Sequence, residues 1–143
     1  MKVTKTKDSH FLNVDLVIYS KSDLKPLVDA MGRNIIELHV GRVRRSYHAY
    51  LEISGMPRSA ESAIRGFCRV IQKLPRPARK LWESARLRRF DIGIDSVPRG
   101  TYWFEISKEA VAEAAKLNAT IALTVYGKLQ RAKLAKKASS PPA

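Results

Sequence analysis

The chain has 143 residues, 45% of them hydrophobic, and a formal net charge of +14, enough apolar material for one buried core and too little length for two. No apolar run approaches the ~18 residues a membrane helix needs, and the single cysteine, Cys68, excludes an intrachain disulfide and any multi-cysteine metal site. A cytoplasmic protein without membrane contact is the expectation.

Phe11 to Tyr19 alternates, with Leu12, Val14, Leu16 and Ile18 on one face and Asn13 and Asp15 on the other, the two-residue period of a half-buried strand. Ser22-Asp23 offers a helix cap, Leu24, Leu27, Val28 and Met31 share a helical face, and Gly32 follows as a stop. Ile36, Leu38 and Val40 alternate again. So do Tyr47, Ala49, Leu51 and Ile53, after the basic turn Gly41 to Ser46, which together predict a hairpin. Pairing Val40 with Tyr47 is the tightest register that keeps both apolar sets on one face, and it sets His39 opposite His48. The turn lacks the Asn-Gly or Asp-Gly of a two-residue loop, so a four-residue loop competes with it.

Ser59 opens a longer helix in which Ile64, Phe67, Cys68, Ile71 and Leu74 keep a 3.6-residue period until Pro75. Pro77 suits the first turn of a further helix with Ala78, Leu81, Trp82 and Ala85. Phe90, Ile92 and Ile94 alternate as a strand, and Tyr102 to Ile106 reads as another short one. Ser107 caps a helix bearing Val111, Ala114, Ala115 and Leu117, Asn118 suits a left-handed terminus, and Ile121, Leu123 and Val125 form the last strand. The expected fold is α+β, a mostly antiparallel sheet with ferredoxin-like strand-helix-strand units and helices packed on it. A polar arm over residues 1–10 precedes this single domain of residues 11–126, and a basic, flexible tail over 127–143 follows it.

The closing stretch from Ile106-Ser107-Lys108-Glu109 through Leu117-Asn118-Ala119-Thr120-Ile121 to Val125-Tyr126, with Leu81-Trp82-Glu83 and Phe90-Asp91-Ile92-Gly93-Ile94, resembles a bacterial family known as domain of unknown function 4279. It departs from that pattern at Asn118, where glycine is expected, and in its basicity. The resemblance implies a fold and no chemistry. Some small bacterial α+β proteins of this kind are immunity proteins that neutralise a toxin by stoichiometric binding, which is the alternative expectation.

Charge is regional. Arg58 to Arg89 holds ten Lys/Arg against Glu61 and Glu83 alone, and the tail from Gly127 holds five cations and no acid. At about 100° per residue, Arg65, Arg69 and Lys73 fall opposite Ile64, Phe67 and Ile71, and Arg76, Arg79 and Lys80 extend the cationic stripe. Arg86, Arg88 and Arg89 offer a further extension. Such a face attracts phosphate oxygens or acidic protein surfaces, although a merely solvated face shows the same pattern. The expected function is therefore noncatalytic binding of an anionic macromolecule, nucleic acid or acidic protein, at Arg65, Arg69, Lys73, Arg76, Arg79 and Lys80, with no cofactor. A homodimer through an uncovered sheet face or edge is compatible with the pattern.

Other constellations are weaker. Tyr47, Tyr50, Tyr102 and Trp103 are aromatic candidates for base stacking, of which the hairpin register turns only Tyr50 clearly outward. Glu37, His39 and His48 fall together on the outer hairpin face, a speculative metal set that Arg42 and Arg44 disfavour. Cys68 reads as a small buried hydrophobe. Asp91 and Asp95 share a strand face and are expected to pair with Arg88, Arg89 or Arg99. No Gly-rich phosphate loop, nucleophile elbow or His-Glu-x-x-His spacing is present, and no catalytic residue is assigned.

Overall fold

The computed structural model of the chain describes residues 10–96 and 100–127. The expected arm, the basic tail and Arg99 fall outside these apart from His10, which opens the first strand, and Gly127. The elements, in chain order, are β1 (His10–Ser20), α1 (Lys25–Met31), β2 (Ile35–Val43), β3 (Ser46–Ile53), α2 (Ala60–Gln72), α3 (Arg76–Ser84), β4 (Leu87–Asp95), α4 (Lys108–Lys116) and β5 (Thr120–Tyr126). They build an α+β unit with one five-stranded sheet in the order β2-β3-β1-β4-β5.

The sheet is mixed, not mostly antiparallel. β1 pairs antiparallel with β3 and β4, and β2 with β3, but β5 runs parallel to β4. The cause is the connection: α4 carries the chain back along the sheet before β5 begins, and a helical crossover returns the next strand in the same direction. With β1 and β5 flanking β4, no free edge remains there for another strand, and residues 102–106 make no ladder. That stretch instead packs Phe104 and Ile106 against the core and ends where the Ser107 amide donates to the Glu61 carboxylate.

Local signals hold where the physics is local. Ser59 accepts from the Ser62 amide at 3.1 Å, and the Ser62 hydroxyl accepts from the Ser59 amide in return, a reciprocal cap that satisfies two orphan donors of α2. Gly32 and Asn118 take φ of 59° and 56° at the ends of α1 and α4. Before α1 the detail differs. Asp23 accepts from the Lys25 amide at 2.9 Å, but the cap position itself is Leu24, whose side chain is committed to the core.

All four α-helices contribute to one hydrophobic cluster against one sheet face, with Leu27 and Met31 from α1, Phe67 and Ile71 from α2, Trp82 from α3 and Ala114 from α4 meeting Leu16, Ile18, Leu51 and Phe90. The indole of Trp82, 2% exposed, donates to the Leu117 carbonyl at 3.0 Å and so fastens α3 to the end of α4. Two bulges correct the expected patterns. A register shift between Phe11 and Asn13 turns Phe11 toward the core and leaves Leu12 exposed. A second, between Glu37 and His39, changes the hairpin.

The hairpin turn has two residues, Arg44 and Arg45, with Arg44 at φ 58° in place of the glycine or asparagine usual there. Val40 consequently pairs with Ala49, not Tyr47. His39 faces Tyr50 and His48 faces Gly41.

Candidate functional site

The expected cationic stripe divides on inspection of its partners. Ile64, Phe67, Cys68 and Ile71 bury the inner side of α2, and Arg65, Arg69 and the following Lys73 lie away from it. Arg65 is half-buried, its Nη2 lies 3.9 Å from Glu113 of α4, and its buried Nε has no hydrogen-bond partner among the described residues. Arg79 donates to the Gln72 carbonyl at 2.7 Å and closes the last turn of α2. Arg88, read as an extension of the stripe, instead donates to the carbonyls of Trp82, Glu83, Ala85 and Asn118. Arg86 bonds the Ser46 hydroxyl at 2.7 Å.

Four members remain. Among the described residues, Arg69, Lys73, Arg76 and Lys80 make no side-chain hydrogen bond or ion pair, and all four are exposed. Arg69 and Lys73 line an open groove of about 600 Å³ whose wall also carries Asn34, Ser54 and Ser62. Cations beside hydroxyl and amide groups supply charge and directional donors for an oxyanion.

The Glu37, His39 and His48 set is not assembled. The bulge places Glu37 opposite Leu51, and its carboxylate meets Lys25 of α1 at 3.4 Å, away from both histidines. Among the described residues no group of three His, Cys, Asp or Glu side chains is arranged to hold a metal ion. His48 instead stacks on Tyr19 with ring centroids 3.8 Å apart. The Tyr19 and Tyr50 hydroxyls meet at 2.9 Å, and that bond, with burial, pushes the Tyr50 phenol up to about 12. Burial, and then the electrostatic influence of His39 and Arg86, lowers the pKa of His48.

A row of carboxylates that the linear pattern did not reveal crosses the same sheet face. Asp15 stands opposite Glu52 on one side and Asp91 on the other. Asn13 donates to Asp15 at 3.2 Å and to Glu52 at 2.9 Å, and Thr124 donates to Asp91 at 2.7 Å. Asp91 thus bonds a hydroxyl, not the arginine expected, while Asp95 lies 3.8 Å from His10. Burial first, then Glu52 and Asp91, pushes the Asp15 carboxyl up to about 6. Cys68 is buried as expected, and burial pushes its thiol up to about 11, unsuited to a nucleophile.

Among the described residues no helix is long and apolar enough to cross a membrane. No family model, curated protein or solved structure matches the chain.

Proposed function

We propose that the protein is a noncatalytic, cytoplasmic binding module that takes an anionic macromolecule, nucleic acid first, on the surface formed by Arg69, Lys73, Arg76 and Lys80. The observation that carries this reading is the division of labour among the cations: Arg79 and Arg88 are spent on backbone carbonyls, while these four stay exposed without a side-chain partner among the described residues, two of them along a groove. The order β4-β1-β3-β2 supports a ferredoxin-like reading of those four strands, with α4 and β5 adding a parallel fifth. The resemblance to domain of unknown function 4279 belongs to the same proposal and adds no chemistry to it.

Fluorescence anisotropy with labelled RNA and DNA at ~50 and ~200 mM salt tests it, since phosphate-driven affinity falls by orders of magnitude over that range. Replacing Arg69, Lys73, Arg76 and Lys80 together by Gln is expected to leave the fold intact and to flatten the log-log salt dependence by about 3. An unchanged slope in that variant overturns the helix-face assignment. Absence of nucleic-acid binding at low salt, with stoichiometric capture of an acidic protein that persists in moderate salt, favours the immunity-type alternative.

A further inference from the structure

The side of the sheet away from the helices has a chemistry of its own. β1 lies at its centre with β3 beside it, and strand alternation turns Val17 and Tyr19 of β1, and His48 and Tyr50 of β3, to that side, because Leu16, Ile18, Ala49 and Leu51 point into the core. The rings form one connected group. Tyr19 and His48 stack, and Tyr50 stands edge-on to both at 6.3 and 6.4 Å. His39 of β2 lies 6.0 Å from Tyr50.

Cations flank the rings. Arg89 of β4 pairs with Val17 and is close enough to Tyr50 to act on its phenol. Arg86 acts on His48 in the same way, and the exposed Arg44-Arg45 turn closes the hairpin that carries His48 and Tyr50.

We infer that this face binds unpaired bases of a single-stranded nucleic acid on the Tyr19–His48–Tyr50 group, with phosphates directed toward Arg86, Arg89 and the Arg44-Arg45 turn. Partly exposed aromatic rings on a sheet, bordered by cations, supply the two things a single strand offers partners for: π-faces and phosphates. A duplex hides its base faces within its own stack. A second copy of this chain fits less well, because the aliphatic side chains that the register turns to this side are scattered: Ile36 and Val43 stand at opposite ends of β2 with His39 and Gly41 between them, and Val17 is only 4% exposed, whereas a stable interface needs roughly 800 Å² per partner with an apolar centre. The carboxylates of Asp15, Glu52 and Asp91 lie one row along the strands from Tyr50, Val17 and Arg89. They repel phosphate from that half and accept hydrogen bonds from exocyclic amino groups of bases, so the strand's backbone is confined to the arginine side.

The inference rests on the nucleic-acid reading of the partner but uses the side of the sheet opposite α2, so the two surfaces are separable. The full chain is titrated with a labelled single-stranded oligonucleotide and a duplex of equal length, using Tyr19→Leu/Tyr50→Leu and the four-Gln helix variant in parallel. Loss of the two rings is expected to weaken single-strand binding tenfold or more with the salt slope nearly unchanged, and duplex binding little. Photo-crosslinking of a 4-thiouridine oligonucleotide to the unaltered protein, expected at Tyr19, His48 or Tyr50, gives a readout that does not depend on the double variant folding. Crosslinks confined to α2 and α3, or single-strand affinity indifferent to loss of both rings, overturn the sheet-face inference and leave the helix-face reading standing. Sensitivity to the rings with indifference to the four-Gln variant does the reverse. Failure of every nucleic acid to bind at ~50 mM salt overturns both.

Discussion

Asp15 and Asp91 face each other directly across the β1–β4 ladder, on the sheet side away from α1 to α4, with Glu52 opposite Asp15 on β3. Burial, and then the charges of Glu52 and Asp91, raise the Asp15 carboxyl from 3.8 to about 6. Because the fold binds this proton more tightly than the unfolded chain does, the contribution to stability is full below the unfolded value of 3.8 and is lost as pH rises through about 6. Asp15→Asn removes the crowded charge and is expected to be more stable than the parent at about pH 8, by about 1 to 2 kcal/mol after discounting for solvent at this half-exposed site. Urea unfolding at about pH 8 and pH 4 measures it, with the gain shrinking at the lower value. An equal gain at both would place the effect outside the carboxyl titration.

Arg88 gathers four carbonyls. Its Nη1 donates to Trp82, Glu83 and Ala85 at 2.9, 3.2 and 2.7 Å, and its Nε donates to Asn118 at 3.0 Å, joining the end of α3 to the turn before β5. Arg88→Ala is expected to cost about 2 to 3 kcal/mol, because several acceptors lose a charged donor at once. Arg88→Lys should recover less than half of that, since an ammonium cannot span the fork that a planar guanidinium does. Denaturant midpoints decide it: full stability in the lysine variant would mean that charge alone suffices.

The contrast between Arg88 and Arg69 shows where the sequence was legible and where it was not. Periodicity identified α2 and its buried Ile64, Phe67 and Ile71, and Ser59 and Asn118 marked helix ends, because those signals depend on neighbours within a turn or two. Nothing local tells a guanidinium that folds back onto carbonyls from one left in solvent, so Arg88 and Arg69 look alike in the chain. The carboxylate row and the aromatic group depend on register across three and two strands respectively. The bulges beside Leu12 and Leu38 are invisible to a strict two-residue period, and the second is what separates Glu37 from His39. The direction of β5 follows from the α4 crossover, and the absence of a ladder at residues 102–106 from the strands that already flank β4, both facts of the whole topology.

Trp82 offers a separation of polar from apolar contributions. Its indole donates to the buried Leu117 carbonyl at 3.0 Å while the ring fills the interior beneath α3. Trp82→Phe keeps most of the ring volume and leaves that carbonyl without its donor, for an expected loss of about 1 to 2 kcal/mol. Trp82→Ala adds a cavity and should cost about 3 to 5 kcal/mol. Thermal or urea unfolding of both variants gives the two components, and near-equal losses would assign the whole effect to the hydrogen bond.

Gly93 and Asn13 are partners of another kind. They pair across β4 and β1, and a Cβ at Gly93 would lie 2.8 Å from the Asn13 Oδ1 and 3.6 Å from a Tyr126 ring carbon. The Asn13 side chain cannot move without loosening its bonds to Asp15 and Glu52. Gly93→Ala is therefore expected to cost about 1 to 3 kcal/mol through overpacking and lost hydrogen bonds. In an Asn13→Ala background the obstruction is gone, and the same glycine change should cost less than about 1 kcal/mol. A double-mutant cycle by urea unfolding is expected to show coupling of about 1 kcal/mol or more. Strict additivity would show that the Asn13 side chain is not what resists the added methyl group.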